Sequence, residues 1–516
     1  MAPNYLHPEK KQTPYLSRLL ASALLGLMVS TAPSVKAQSI DDLFGGPPPA
    51  AKKSAPKAAT PAPAAAPQET VAPKTTPAPA ASAPVQPVSP VAEPAAASVP
   101  VLVKAPVKAE AEPEPSRSTL TGFYQNDLAY AYAGKKHWSR FNNTLDLSAQ
   151  GRTAGGIGWK LGGRAYYDPI YDLTDHYPSA VRRDQRFEAT IREAYIDLGT
   201  GDWDFRLGRQ HIVWGEMVGL FFADVVSAKD MRQLVLPDFD MIRIPQWAAR
   251  AEYFSGGFHA EGVWIPTMTY DDIGKPGAEF YPLNPPAIPG FQTIIAKESK
   301  PTGLDDADYG ARLSWLKGGW DVSGFYYTAN DTSAAFSRQT SLSTITYQPL
   351  HKRIHQLGAT LGKDLGPMVL KAEAIYTRDK LFNTTDVADA DGLVKQNMLD
   401  YIVGLEWSFP QETRFNVQLF QRWFPDHDAG IVPDKTESGF SLLFSTQALH
   451  PRLEPEMLLV RSLNRNDWSA QLKLGWRLDG NWRLAAGVDI FEGPASGLFG
   501  AFDDKDRVYT EVRYSF

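Results

Sequence analysis

The 516-residue chain contains no cysteine. That excludes disulfides, thiolate metal sites and cysteine nucleophiles together, and it suits an exported protein that needs no redox handling. Beyond the N-terminus no run of about 20 apolar residues occurs, so a bundle of transmembrane helices is excluded. The mean hydropathy is -0.29. This lack does not touch a transmembrane barrel, whose alternating strands leave only a weak hydropathy signal. A net charge of -6 gives no reason to expect nucleic acid as a partner. Aromatic residues are missing altogether between Pro47 and Pro115, although the chain holds 13 Trp and 21 Tyr.

The chain divides by composition into 1–37, 38–46, 47–117 and 118–516. Residues 1–37 read as a cleavable signal peptide. Lys10, Lys11 and Arg18 form the positive region, residues 19–30 (LLASALLGLMVS) the apolar core, and Val35-Lys36-Ala37 the small-residue cleavage site before Gln38. Residues 39–46 (SIDDLFGG, from Ser39 to Gly46) are a short acidic-apolar segment. Residues 47–117 are rich in Pro and Ala. Such a composition cannot bury enough apolar surface to offset ordering entropy, so a disordered tether is expected. At about 3.1 Å per residue, roughly 70 residues extend to about 200 Å. SIDDLFGG is either a peptide held on that leash for a periplasmic partner or a plain mature N-terminus.

From residue 118 to the end the chain alternates with a period of two, which places successive side chains on opposite faces of a strand. In the last residues, Val508, Thr510, Val512, Tyr514 and Phe516 form one row and Arg507, Tyr509, Glu511, Arg513 and Ser515 the other. The same pattern recurs at 140–150, 159–168, 399–409, 468–477 and 482–490. Between these segments short turns take turns with longer connections. The short ones fall near 152–156, 199–202, 255–257, 317–319, 363–367, 410–413, 450–453 and 478–481. The others are 133–137, 170–185, 213–246, 267–307, 330–352, 380–396, 425–437, 464–466 and 492–505. A soluble β-sandwich has no reason to sort its loops this way. An outer-membrane barrel has short periplasmic turns, long extracellular loops and an even strand number. The predicted fold is therefore all-β: a transmembrane antiparallel up-and-down barrel of about 18 strands, with 16 the alternative count. Trp159, Trp203, Trp315, Trp320, Trp476 and Trp482 lie beside the short turns, with Phe409 and Phe516 at the same level. Amphipathic rings favour the headgroup zone, so this reads as one aromatic girdle. The terminal Tyr514 and Phe516 also resemble the C-terminal aromatic signature by which such barrels are recognised for assembly, which makes the barrel-assembly machinery and outer-membrane lipid the expected partners.

Leu207-Gly208-Arg209-Gln210, followed by Trp214-Gly215-Glu216, resembles the LGRQ…WGE segment of a largely uncharacterised family of proteobacterial outer-membrane barrels, loosely similar to alginate-export-type porins. Val225-Val226-Ser227-Ala228-Lys229-Asp230, Leu236-Pro237 and Ile244-Pro245 are similar to that family's third long loop. The resemblance spans residues 120–516 in pattern, and specific motifs only within about 206–245. It implies a channel or transport component of the outer membrane of a Gram-negative bacterium, bulky or apolar molecules among its conceivable cargoes, and it names no substrate.

The alternation breaks in this region. Trp203, Phe205, Leu207 and Arg209 share the outward row, and a guanidinium at mid-bilayer costs about 2–4 kcal/mol. Two remedies fit: a bulge at Gly208 that returns Arg209 to the lumen, or a position high enough to snorkel. Glu193 has the same difficulty on the preceding strand, and a pair with Arg209 across the hairpin would relieve both. The third loop carries Val218, Leu220, Phe221, Phe222, Val225, Val226, Leu234, Val235, Leu236 and Phe239. Left in water, such surface costs about 25 cal/mol per Å². The loop is expected to fold inward and narrow the pore, with a short helix at 219–234 and an Arg209–Glu216 pair at its base. Candidate constriction residues are Glu193, Arg206, Arg209, Glu216, Phe221, Phe222, Lys229, Asp230 and Arg232. Along the strands, basic residues such as Arg164, Arg192, Arg250, Lys371, Arg414, Lys473, Arg483, Arg507 and Arg513 face the same side as acidic ones such as Asp127, Asp146, Glu188, Glu252, Glu261, Glu373, Glu406, Asp489 and Glu511. Such a lining suits hydrated solutes without strong selection by charge.

Enzyme chemistry finds little footing. His351 and His355 lie roughly 13 Å apart on a strand, too far for a shared metal. No Gly-x-Ser-x-Gly or His-Glu-x-x-His segment occurs. Asp389-Ala390-Asp391-Gly392 matches the middle of a calcium loop, yet Val387 and Met398 stand where carboxylates are needed. Asp503, Asp504 and Asp506 read as a solvated acidic loop. The expectation is a channel with no catalytic residue, no metal and no cofactor. Its alternatives are a barrel passing hydrophobic molecules from a periplasmic partner, a plugged structural barrel, or an outer-membrane enzyme. If SIDDLFGG docks a partner, deleting residues 39–46 should spare folding and insertion while slowing transport in cells. An unchanged uptake rate would leave the segment a plain N-terminus.

Overall fold

The computed structural model describes residues 118–217, 222–281, 291–386 and 388–516. The leader, the SIDDLFGG segment and the Pro/Ala-rich stretch lie outside the described residues, as does Phe221. The rest is one closed 18-stranded antiparallel barrel. Its strands are β1 Ser118–Ala131, β2 His137–Arg152, β3 Gly158–Tyr167, β4 Phe187–Thr200, β5 Trp203–Gln210, β6 Gln246–Ser255, β7 Phe258–Thr267, β8 Asp308–Lys317 and β9 Trp320–Asn330. They continue as β10 Arg353–Asp364, β11 Met368–Asn383, β12 Leu393–Phe409, β13 Thr413–Trp423, β14 Thr436–Ser445, β15 Leu453–Ser462, β16 Trp468–Arg477, β17 Trp482–Glu492 and β18 Arg507–Ser515. Each strand pairs with the next, and β18 returns to β1 in the register Phe123↔Ser515 to Ala131↔Arg507. The ladder ends on a reciprocal pair, Gly122 N–H to Phe516 O and Phe516 N–H to Gly122 O, both 2.9 Å.

Period-two alternation becomes two surfaces. The outward row is apolar and exposed, as at Leu313, Leu357, Val403 and Leu419, while the inward row carries buried Thr360, Lys371, Glu373 and Gln418. An apolar band of this extent needs lipid rather than water around it. Trp203, Trp315, Trp320, Trp476, Trp482 and Phe409 stand exposed at the short-turn end, whereas Trp159 is only half-exposed. A second ring stands at the long-loop end and includes Trp138, Tyr167, Trp247, Trp264, Tyr309 and Trp423. The two-residue hairpin between β8 and β9 shows how the short turns close: Gly318 and Gly319 have φ of +61° and +76°, the positive values that a type I′ turn requires at both centres.

The nine connections at the other end differ among themselves. The second, 168–186, carries the helices Ile170–Leu173 and Ser179–Gln185. The fifth, 331–352, is a hairpin of Ala335–Thr340 and Thr344–Leu350, joined in parallel by Gln292–Ile295 from the fourth. The alternation of the sequence does not reveal this small sheet, since 330–352 reads as loop. Strands β11 and β12 run on to Asn383 and from Leu393, which shortens the connection expected at 380–396.

Closure rests on the chain's end. Phe516→Ala removes the ring beside Tyr514, 6.1 Å away between centroids, at the point where the last strand meets the first. A marked fall in heat-modifiable barrel in the membrane fraction is expected. Wild-type amounts of folded protein would show that this ring has no part in assembly.

Candidate pore constriction

The third connection, 211–245, leaves β5 and folds into the lumen. Its first part packs against the wall of β6, β7, β9 and β11, where Ile212, Trp214, Ala223 and Val226 share a core with Ala248, Val263, Ile265, Phe325, Tyr327, Ala329 and Ile375. Trp214 donates from Nε1 to Glu261 Oε2 on β7 at 3.1 Å. Glu373 on β11 accepts from the backbone N–H groups of Glu216 (2.5 Å), Met217 (3.2 Å) and Ala223 (2.8 Å). Phe222 then reaches β13, 5.8 Å from the ring of Phe420. Further along, Leu234 is buried with Val460 of β15 and Phe491 of β17. Gln233 accepts from Arg507 of β18 at 3.1 Å, and Asp238 lies 3.7 Å from Lys473 of β16. The return stretch crosses to β3 and β4, where Arg164 donates to Met241 O (3.3 Å) and Arg192 to Asp240 O and Arg243 O (3.0 and 2.6 Å). One loop thus touches most of the inner circumference.

A helix at 219–234 is not found among its described residues. The backbone there is claimed by partners far along the chain. Lys229 N–H donates to Asp271 at 2.8 Å, Met231 N–H to Asp272 O at 2.7 Å, and Asp272 N–H returns to Lys229 O at 2.9 Å. Ala228–Lys229 also pairs with Arg243–Ile244 as a two-residue ladder. Each such bond satisfies a donor that a helix would have used, so the tertiary partners override the local pattern. The helix that does form is Phe239–Ile242, four residues long.

The candidate residues do not all meet. Glu193 pairs with Lys160 at 2.5 Å rather than with Arg209, because Arg192 is an extra residue opposite Gly162 and Gly163 and the bulge turns Glu193 inward toward β3. Arg206 sits near the short-turn end, held by Asp197 at 2.6 and 3.2 Å, away from the loop. Gly208 has φ +126°, a backbone that favours glycine, and Arg209 turns into a lumenal cavity beside Arg192 and Glu188. The ladder between β4 and β5 keeps its register there. Glu216 does not pair with Arg209: it lies 3.8 Å from Arg312 on β8, since the loop has already crossed to that wall. Burial pushes its carboxyl above the ordinary range, and Asp321 adds to the effect. Lys229 is held through Nζ by the carbonyls of Asp224 and Ser227, both at 3.1 Å. Arg232 is gripped by Asp230 (2.6 Å), Glu188 (2.7 Å) and Tyr166 (2.7 Å). Burial opposes the ionisation of Asp230, yet Arg232 outweighs it and holds that carboxyl below its ordinary range.

Among the spaces beside the described part of the loop are two lined by its residues. The larger, about 510 Å³, lies between it and the β2–β5 wall; its lining includes Asn142, Arg164, Tyr166, Arg192, Arg209 and Asp272. The smaller, about 140 Å³, lies toward β9–β12 and is lined by Phe222, Asp224, Lys229, Gln356, Lys380 and Asp400, among others. The strand charges mostly cancel in pairs: Arg164–Asp146 (2.7 Å), Arg250–Glu252 (2.5 Å), Arg414–Glu406 (2.9 Å), Arg422–Asp400 (2.6 Å) and Arg507–Asp489 (2.7 Å). Among the described residues Arg192 and Arg209 have no carboxylate within ion-pair distance, and the Nε of Arg209 is buried without an acceptor. Burial, then Arg192, Arg243, Lys160 and Arg164, push the imidazole of His211 down to about 3.

A family profile described as "Protein of unknown function (DUF1302)" matches residues 125–516. No curated protein matches the chain in sequence. Among solved structures, OccK8 (OprE) of Pseudomonas aeruginosa has a TM-score of 0.48 at 10% identity, covering 77% of this chain and 98% of that one. OpdK of the same organism, solved with vanillate, gives 0.45 at 11% identity over 79% and 100%. OmpF of Salmonella typhi, solved with daunomycin, gives 0.39 at 9% identity over 77% and 97%.

The grip of Glu373 on the loop is open to test. Hydrogen bonds to a charged group contribute about 1.5–3 kcal/mol each. Glu373→Ala should therefore leave a heat-modifiable barrel but expose the loop to added protease and increase fluctuations in single-channel records. Unchanged protease resistance and noise would mean that apolar packing alone holds the loop.

Proposed function

We propose that this chain, which belongs to the DUF1302 family of proteins of unknown function, is a channel of the outer membrane of a Gram-negative bacterium, passing small hydrated solutes, with anions preferred. In this reading the short turns face the periplasm and the long loops the cell exterior. The observation that carries it is the third loop, which crosses a polar lumen beside a cavity of about 510 Å³ bounded by the β2–β5 wall and by the second and fourth connections. A structural plug has no use for such a space.

The apolar residues Val226 and Leu234 of the loop are spent on internal packing, and the larger cavity is lined in part by charged side chains such as Arg164, Arg192, Arg209 and Asp272. This favours hydrated solutes over the hydrophobic-cargo alternative. The preference for anions follows from Arg192 and Arg209. Most charges of the lining cancel in pairs, and these two guanidinium groups, neighbours at the larger cavity, give that stretch of the path a positive potential.

The test is planar-bilayer recording of the purified protein. Discrete conductance is expected, with a reversal potential in a KCl gradient that reports anion preference. Deleting residues 222–236 should raise the conductance, and Arg209→Ala should shift the reversal potential toward non-selectivity. No conductance from folded protein, before and after the deletion, would reject the channel. Conductance with cation preference would reject the role of Arg209.

A further inference from the structure

We propose that the long-loop rim carries a binding site for one divalent transition-metal ion of the zinc type, formed by His137, His176 and Glu279. The three come from separate parts of the chain: the first residue of β2, the second connection and the fourth. Their donor atoms lie within 4.8 Å of one another. This inference is independent of the channel reading.

The chemistry of the His137–Glu279 contact points to a cation. His137 Nδ1 is 2.6 Å from the carbonyl of Lys135, so Nδ1 carries a proton. Nε2 lies 3.0 Å from Glu279 Oε2 and 3.2 Å from the Tyr177 hydroxyl, with a proton or a metal ion to be placed between nitrogen and carboxylate. Two lone pairs at that distance repel unless a proton or a metal ion joins them. A backbone carbonyl that fixes the tautomer is the usual second partner of a metal-binding histidine. Tyr177 donates to the same carboxylate oxygen at 2.8 Å and orients it in the same way. Glu279 is 6% exposed, and its other oxygen is buried with no hydrogen-bond partner.

His176 supplies the third donor. Its ring stacks on His137 with centroids 3.8 Å apart and makes no hydrogen bond among the described residues. Binding requires this ring to turn out of the stack so that one of its nitrogens points at the ion. Zinc held at about 2.0–2.2 Å from nitrogen and oxygen donors spaces them about 3.4 Å apart, close to the 3.0 Å already present between His137 and Glu279. A water completes the four-coordinate shell. Lys505 lies 4.0 Å from Glu279 Oε1 and 3.6 Å from Asp504, so a second carboxylate is at hand for it when an ion occupies the site.

The position gives the ion a structural consequence. Glu279 precedes Phe280, which is fully buried against Phe491 and Phe502. The same connection pairs through Asp272 with Lys229 and Met231 of the third loop. An ion at the rim therefore ties β2 and the second connection to the segment that buttresses the loop in the lumen.

The test uses the full mature protein without a histidine tag, chelator-stripped in detergent and titrated with zinc chloride by calorimetry. One ion per chain is expected. His176→Ala and Glu279→Gln should each weaken binding by about ten-fold or more, with folding checked by heat-modifiability. His176→Ala decides the matter if Glu279→Gln fails to fold. His259→Ala, in the other His/Glu group of the lumen with Glu252 and Glu261, should bind like the wild type. No binding by the wild type, or full affinity in His176→Ala, would overturn the proposal.

Discussion

A strand in lipid has no water to satisfy its edge, so the ladder between the last strand and the first is the constraint on which everything else here depends. Each unsatisfied backbone group in hydrocarbon costs several kcal/mol. The chain meets this by ending where it began: β18 runs antiparallel to β1, and Phe516 exchanges both backbone hydrogen bonds with Gly122. Closure fixes the strand number as even when both ends of the barrel chain lie at the short-turn side. It also fixes which row faces out, because a slip of one residue would turn Arg513 and Glu511 toward lipid and Val512 and Tyr514 toward the lumen.

A closed barrel of this size creates the next problem, an interior too wide for strand side chains to fill. The third connection answers it with two kinds of contact. Apolar patches sit at two places along it, Trp214 against Phe325 and Tyr327 and Leu234 against Val460 and Phe491. Elsewhere along it, wall side chains reach in to the loop's backbone. Glu373 takes three N–H groups and Arg192 gives to two carbonyls. Because the inner face of a barrel is polar by necessity, a loop laid on it must be held largely by such bonds, and buried backbone groups left without them would oppose folding.

The same pairing rule organises the charges. Cross-strand neighbours such as Asp146 and Arg164 stand directly opposite in the ladder and neutralise each other. On the β4–β5 wall the pairing is incomplete. The bulge at Arg192 and the unusual backbone at Gly208 place two guanidinium groups on one wall without carboxylate partners. Both uncompensated groups line the larger cavity, which is why the proposed selectivity rests there.

The alternating faces of most strands, the sorting of short turns from long connections and the count of about 18 were legible in the sequence, because each is set by a period of two read over about ten residues. So was the inward fold of the third connection, since its apolar content has to be buried somewhere. Its conformation was not. The expected helix at 219–234 gave way to bonds with Asp271, Asp272 and Glu373, and those partners are distant in sequence. Glu193 found Lys160, and Glu216 found Arg312, where the chain alone suggested Arg209 for both. Likewise nothing local joins His137 to Glu279, 142 residues apart. Alternation is a local signal that the backbone geometry of a strand imposes. Which loop meets which wall depends on the way the closed barrel brings the connections together, and only the tertiary structure decided that.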